Sequence, residues 1–131
     1  MNEKETMLQS KTVYLCMAAP SERSYMDRET MRSCRHLVAQ YEEEYQCRAI
    51  APHTVLPELL NYEDPRELEI AFWFSQKVLS LCDTIVVFGD CLSDRMRVEI
   101  DYAWLHGISI LTRPESMAPV RAYLDSIKKE G

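Results

Sequence analysis

The sequence predicts a single α/β domain built on a doubly wound parallel sheet of four to five strands. Its 131 residues are the usual size of one domain, and 47% of them are hydrophobic, enough to form a core. Short β-rich runs alternate with longer amphipathic runs along the chain. The runs TIVVF and ISILT are nearly all apolar, as expected of parallel strands that are covered on both faces.

The first half of the domain begins with a strand over 12–18, because TVYLCMA is apolar and a proline and serine soon follow. Ser24 and Asp27 are suitable N-cap residues for a first helix that runs to about Tyr45. The short run CRAIA, over 47–51, is the second strand.

The second helix has the clearest start signal in the chain. Asp64, Pro65 and Glu67 supply an N-cap acid, a first-turn proline and a capping-box glutamate in that order. The apolar periodicity continues from there to Asp83. The run TIVVF then forms the third strand.

The third helix begins after Ser93, its N-cap, and ends at Gly107. The run ISILT is the fourth strand, and an amphipathic segment over 116–129 is the closing helix. The polar start MNEKETMLQS predicts a disordered tail over 1–10, which leaves 11–131 for the domain.

Composition and spacing exclude several classes of protein. A formal net charge of -6 argues against a nucleic-acid polymer as partner, because such binding needs clustered basic residues. No apolar run is long enough for a membrane helix, and the start lacks a secretory segment, so we expect a cytoplasmic protein. Five scattered cysteines without a CxxC pair are typical of reduced thiols. The histidines are isolated and no glycine-rich phosphate motif is present, so we expect neither metal nor cofactor.

A doubly wound sheet binds ligands beyond the carboxyl ends of its strands, where the strand order reverses. For the order 2-1-3-4, this crevice lies between the first and third strands. The loop after the first strand carries Ser21, Arg23 and Ser24, and the loop after the third carries Asp90 and Ser93. Each loop leads into a helix N-terminus, which favours an anion. We therefore expect a small anionic ligand in this crevice.

Three segments resemble the nucleoside 2-deoxyribosyltransferase superfamily. They are KTVYLCMAAP, IAPHTVLPELL, and FGDCLSDRMRVEIDYA followed by HGISI, and they extend from Lys11 to Thr112. The APH run is similar to a small branch of that superfamily. The resemblance implies a flavodoxin-like, Rossmann-like fold that cleaves or transfers the N-glycosidic bond of deoxynucleosides or their 5'-monophosphates.

The resemblance also implies roles for individual residues. It makes Glu99 the nucleophile, places Tyr14 near that nucleophile, and makes Ser93 a contact to the 5'-phosphate. A carboxylate suits the reaction, because breaking the C–N bond passes through an oxocarbenium-like state that a carboxylate can stabilise or trap. Asp90 is the nearest loop acid that could protonate the departing base.

The remaining candidates are substrate-binding residues. Ser21 and Ser24, with the loop backbone, could hold a phosphate, and Arg23 or Arg95 could supply charge-assisted hydrogen bonds. His53 ends the second strand and is a secondary candidate, because a histidine there is more often buried and hydrogen-bonded.

Two positions depart from the superfamily pattern and support an alternative function. Arg95 replaces a glycine expected two residues after Ser93, and the second catalytic acid of the superfamily falls near Ser75. Both favour a non-catalytic nucleotide-binding or sensing domain of the same fold. The i, i+4 spacing of Arg95 and Glu99 also fits a solvated ion pair on a helix surface.

The second helix carries more apolar side chains than one sheet-facing stripe requires. Ile70, Trp73, Phe74 and Leu81 fall partly outside that stripe. A homodimer or higher homo-oligomer would bury them, and members of the superfamily commonly assemble in this way. The alternative is that the loop PHTVLPELLNY covers them within one chain.

Overall fold

The computed structural model describes residues 8–17 and 28–130. Ser21, Arg23 and Ser24, with the predicted caps of the first helix, lie outside the described residues. The elements in chain order are β1 (Thr12–Cys16), α1 (Arg28–Tyr45), β2 (Arg48–Ile50), α2 (Pro65–Ser80), β3 (Thr84–Val87), α3 (Asp94–Leu105), β4 (Ser109–Thr112) and α4 (Met117–Glu130).

The four strands form one parallel sheet in the order β2-β1-β3-β4. This confirms the predicted single-domain, doubly wound α/β fold. Tyr14 pairs with Ile50 of β2 on one side and with Ile85 of β3 on the other, so β1 is central. The chain leaves β1 for β2 in one direction and later crosses to β3 and β4 in the other. The carboxyl ends of β1 and β3 therefore flank the point where the strand order reverses.

Helices cover both faces of the sheet, and alternate residues of β1 face different layers. Val13 and Leu15 pack with Tyr41 of α1 on one face. Tyr14 and Cys16 lie on the other face, in a core with residues of α2, α3 and α4 that includes Leu79, Met96, Ile100, Ala103 and Val120. The side chains of Tyr14 and Cys16 are thus directed towards the layer that contains α3.

The helix starts follow the predicted capping pattern with one change. The Asp64 side chain accepts a hydrogen bond from the backbone N–H of Arg66 at 2.9 Å, so Asp64 is the N-cap of α2. Glu67 does not complete a capping box with Asp64, because the N–H of Asp64 donates to the carbonyl of Asn61. Glu67 Oε1 instead accepts from the N–H of Asn61 at 3.2 Å.

The start of the closing helix also differs from the prediction, whereas the end of α3 agrees with it. Pro114–Ser116 forms a short 3-10 turn, so α4 starts at Met117. The buried Ser116 hydroxyl donates to the Gly89 carbonyl at 2.6 Å, which holds the start of α4 against the loop after β3. Gly107, at φ 70°, follows α3 in the left-handed conformation that ends helices.

Leu8 lies within the segment predicted as a tail, but its side chain is buried in the core layer under α1. Its carbonyl accepts from the N–H of Lys11 at 2.9 Å, which turns the chain into β1. The packed part of the chain therefore includes Leu8. Among the described residues, no helix has the length and apolar character needed to cross a membrane.

The outer face of α2 is exposed, as the sequence predicts. The exposed fraction is 60% for Trp73 and 80% for Leu81, and Ile70 and Phe74 are also exposed. The loop before α2 therefore leaves these side chains uncovered within the chain. Helix α3, which packs against α2, adds three further exposed apolar side chains, Val98, Trp104 and Leu105.

We propose that a two-fold homodimer covers this apolar face of α2. Light scattering at micromolar concentration should give a wild-type mass near twice the 15.3 kDa of one chain. Trp73→Glu should shift the mass to that of the monomer, because it places a charge in the apolar contact. Leu59→Glu, at an exposed apolar position outside α2, should leave the dimer intact. A monomeric wild-type protein would refute the proposal.

Candidate functional site

Glu99 lies in the second turn of α3 and is buried, with 3% of its surface exposed. The Tyr14 hydroxyl donates a hydrogen bond to Glu99 Oε2. On the other carboxylate oxygen, Arg95 Nη1 lies 3.3 Å from Oε1, and Cys16 Sγ lies 3.5 Å from it. Strand β1 and helix α3 thus surround one carboxylate with hydroxyl, guanidinium and thiol donors.

Arg95 is also buried, with 6% of its surface exposed. Its Nη2 donates to the Met17 carbonyl, just after β1, at 3.0 Å. The Arg95–Glu99 pair is therefore an internal ion pair and not the solvated surface pair that its i, i+4 spacing also allows. An ion pair this deep depends on both partners, because removal of one leaves a buried charge without compensation.

His53, in the 3-10 turn Pro52–Thr54 after β2, completes the cluster from a third segment. Its Nδ1 lies 2.7 Å from the Tyr62 hydroxyl, and its Nε2 lies 2.9 Å from Ser75 Oγ. Nε2 is also 3.9 Å from Glu99 Oε2. Burial, and to a lesser extent the charge of Arg95, lowers the pKa of His53 from 6.5 to about 2. His53 is therefore neutral, and its contact with Glu99 is not an ion pair.

The two tyrosines of the cluster are neutral donors at physiological pH. Burial, followed by the negative charge of Glu99, raises the pKa of Tyr14 well above its usual value. Burial also raises the pKa of Tyr62. Arg95 is thus the cation beside Glu99, while Tyr14 stabilises the ionised carboxylate by a hydrogen bond without adding charge.

A small cavity of about 10 Å³ adjoins the cluster and holds at most a single water molecule. It is lined by Tyr14, Leu15, Met17, Ala51, Pro52, His53, Thr54 and Arg95. A nucleoside is far larger than this cavity, so it fits there only if a lining side chain moves. Arg95 is the longest of these side chains and also contacts Glu99, whereas both ring nitrogens of His53 are hydrogen-bonded.

The structure brings four of the predicted site residues together: Tyr14, His53, Arg95 and Glu99. Ser93 is the N-cap of α3, since its Oγ accepts from the N–H of Met96 at 3.2 Å, and it remains partly exposed. Asp90 is exposed in the loop between β3 and α3. The other three candidates, Ser21, Arg23 and Ser24, lie outside the described residues.

The sequence did not predict Cys16 and Tyr62 as members of the cluster, and it predicted no contact for the Ser75 side chain. Cys16 had a signal, because it lies two residues after Tyr14 in a strand and so faces the same side. Tyr62 had none, since it lies in an irregular loop whose path depends on the tertiary fold. Ser75 follows the buried stripe of α2, but its polar contact with His53 depends on a turn 22 residues away.

The cluster offers few ligands for a metal ion. Within 8–17 and 28–130, no group of three or more histidine, cysteine, aspartate and glutamate side chains has an arrangement suited to one. Within the cluster, the Glu99 carboxylate is in contact with the Arg95 guanidinium, and both nitrogens of the His53 imidazole are hydrogen-bonded.

The fold and this cluster define a doubly wound α/β domain with a buried carboxylate where β1 and β3 end. Residues 11–113 match a family described as a domain of unknown function, DUF7768, and the chain belongs to this family. No curated protein and no solved structure matches the chain. The family description assigns no activity, so the function rests on the site itself and on the resemblance in sequence.

The lowered pKa of His53 predicts a specific loss of stability in acid. The unfolded chain binds this proton first, so the stability from neutral His53 is complete above pH 6.5 and is lost progressively below it. From pH 7 to pH 5, the wild-type free energy of unfolding should fall by about 2 kcal/mol more than that of His53→Gln. Urea titrations at both pH values measure this difference.

The control for this experiment is His36→Gln, at an exposed position. It should keep the wild-type dependence on pH, because this variant leaves His53 and both of its hydrogen bonds in place. Parallel curves for wild type and His53→Gln would contradict the prediction.

Proposed function

We propose that this protein cleaves or transfers the N-glycosidic bond of a nucleoside or deoxynucleotide, with Glu99 as the nucleophile. The observation that carries the proposal is the buried Glu99 carboxylate beside the end of β1, with the Tyr14 hydroxyl on one of its oxygens. Parallel α/β sheets bind ligands at this position. The resemblance to the nucleoside 2-deoxyribosyltransferase superfamily supports the same residue for the same role.

In the proposed reaction, Glu99 Oε1 attacks the anomeric carbon of the sugar while Oε2 keeps its hydrogen bond from Tyr14. The bond between that carbon and the base nitrogen breaks, and its electron pair leaves with the base. The base takes a proton from Asp90 or from water. Water, or a second base, then attacks the same carbon, gives up a proton to Asp90 or to solvent, and releases Glu99 as the free carboxylate. The first acceptor gives hydrolysis and the second gives transfer, and neither requires a metal or cofactor.

The position of Arg95 is the reason for proposing that the substrate carries a phosphate. Oε1 can attack only after the guanidinium moves away from it, and a phosphate is the anion best matched to receive that guanidinium. The partly exposed Ser93 at the start of α3 would bind the same phosphate. Ser21, Arg23 and Ser24 remain proposed phosphate contacts in the loop after β1. A nucleotide would thus open the site to which it binds.

A non-catalytic nucleotide-binding or sensing domain is the second candidate. The ion pair between Arg95 and Glu99, together with the cavity of about 10 Å³, favours it. Ser75 supports it too, because it stands where the superfamily has a second acid. In that case the ligand would displace Arg95 without any bond cleavage, and the signal would be the movement of that side chain.

The cytoplasm is the proposed compartment. All five cysteines lie in the described residues and are present as thiols and not as disulfides. Thiols persist in a reducing environment. The cytoplasm also contains the nucleosides and nucleotides that the proposed reaction would consume.

The test of the nucleophile is Glu99→Gln. Purified protein is incubated with a panel of deoxynucleosides and their 5'-monophosphates, and free base is measured by chromatography. The wild type should release base, and Glu99→Gln should lower the rate by at least about 1,000-fold, because an amide cannot form the glycosyl intermediate.

Glu99→Gln also leaves the buried Arg95 without its anion, so a loss of stability is expected and must be separated from the chemistry. The assay is therefore run well below the melting temperature of each variant. Glu43→Gln, at an exposed position of α1 on the other side of the sheet, is the matched control and should keep full activity. Turnover retained by Glu99→Gln would refute the nucleophile. A wild type that binds nucleotides without releasing base would favour the sensing domain.

The test of Arg95 compares two ligands by calorimetry, a deoxynucleoside and its 5'-monophosphate. Arg95→Gly should lower the affinity for the monophosphate relative to the nucleoside by at least about tenfold, the usual effect of a charged hydrogen bond. Arg97→Gly is the control for the cost of glycine in a helix, because Arg97 is exposed on the same helix and pairs with Asp94. An unchanged affinity ratio in Arg95→Gly would remove Arg95 from phosphate binding.

A further inference from the structure

His53 takes no part in the proposed bond-breaking step, yet it is buried and hydrogen-bonded through both ring nitrogens. Only 3% of its surface is exposed, and each ring nitrogen has a hydrogen-bond partner from a different segment. Its ring also packs edge-on against Tyr62 and Phe72. The imidazole therefore has one orientation, with Nε2 directed towards Ser75 and Glu99.

Two observations favour a proton on Nε2 over one on Nδ1. The Ser75 hydroxyl donates its single hydrogen to the Ala71 carbonyl at 2.8 Å, so its oxygen is left to accept from His53 Nε2. The negative oxygen Oε2 of Glu99, 3.9 Å from Nε2, also favours an N–H there over a lone pair. Nδ1 then accepts from the Tyr62 hydroxyl at 2.7 Å.

We propose that His53 is a positioning residue for Glu99, which presents a neutral Nε2–H to the Oε2 side of the carboxylate. The distance of 3.9 Å is too long for a hydrogen bond, so the effect on Glu99 is electrostatic, while Ser75 accepts the bond itself. Ser75 and Tyr62 act through His53 by fixing its tautomer and its ring plane.

This arrangement makes the two oxygens of Glu99 unequal. Oε2 faces Tyr14 and His53, two neutral donors that belong to the packed core. Oε1 faces Arg95, a long side chain on the first turn of α3, and the Cys16 thiol. Oε2 is the anchored oxygen, and Oε1 is the oxygen that becomes available when Arg95 moves. This assignment of the attacking oxygen rests on the proposed function, whereas the tautomer does not.

The first experiment uses nuclear magnetic resonance of protein labelled with 15N in histidine and needs no activity. The His53 signals are assigned by their loss in His53→Gln. The proton is expected on Nε2 throughout pH 5 to 8, and Glu99→Gln should shift that Nε2 resonance. Glu43→Gln, at an exposed position of α1, should leave it unchanged. A proton on Nδ1, or a resonance that does not respond to Glu99→Gln, would overturn the proposal.

The second experiment measures base release by two variants of His53. His53→Leu removes the N–H, so kcat should fall by at least about tenfold with KM little changed, and the acid limb of kcat/KM should move to higher pH. His53→Gln can place an amide N–H near the Nε2 position and should restore most of kcat. Loss of activity in both variants, without a shift of the acid limb, would reduce His53 to a structural residue.

The two experiments separate the two proposals. If the wild-type protein releases no base from any substrate, the proposed function fails, and the resonance experiment alone decides whether His53 acts on Glu99. If base is released but the Nε2 resonance of His53 does not shift in Glu99→Gln, the positioning role of His53 is refuted and the proposed function stands. Wild-type kinetics in His53→Leu would also overturn the positioning role.

Discussion

This structure depends on supplying one buried carboxylate, that of Glu99, with enough hydrogen-bond donors to replace water. A carboxylate with 3% of its surface exposed cannot remain ionised unless donors replace the water it has lost. Tyr14 and Arg95 supply them, and Arg95 in turn donates to the carbonyl of Met17 after β1. The carboxylate therefore ties helix α3 to the central strand, and the 3-10 turn of His53 packs against the same group.

The topology explains why this carboxylate lies where it does. The reversal of strand order at β1 places the carboxyl ends of β1 and β3 side by side, and α3 leaves the sheet directly after β3. Residues one turn inside α3 therefore face the end of β1. The same geometry that offers the helix N-terminus to an anion brings Glu99 beneath the place where the anion would bind.

The contrast between Arg95 and His53 distinguishes the two candidate functions. Both residues lie beside Glu99, but Arg95 is always charged and has a long side chain, whereas His53 is neutral and hydrogen-bonded at both nitrogens. A cation on Oε1 stabilises the resting carboxylate and opposes attack by that oxygen. Catalysis thus requires that an anion of the ligand draw Arg95 away from Glu99. A sensing domain requires only that the side chain of Arg95 move when this anion binds.

The local sequence determined the fold elements and most of their ends. Alternating apolar runs, the caps Asp64 and Ser93, and the glycine at position 107 predict the strands and the helices, because these signals act over a few residues. Tyr14 and Glu99 were proposed as site residues from the resemblance, and the exposed aromatics of α2 were predicted from their helical spacing. The contacts of the site were decided by the tertiary structure alone. Tyr14 and Glu99 are 85 positions apart, and the spacing of Arg95 and Glu99 is the same whether the pair is solvated or buried. Only the packing of α3 on β1 removes water from that pair, and this depends on segments that no short pattern connects.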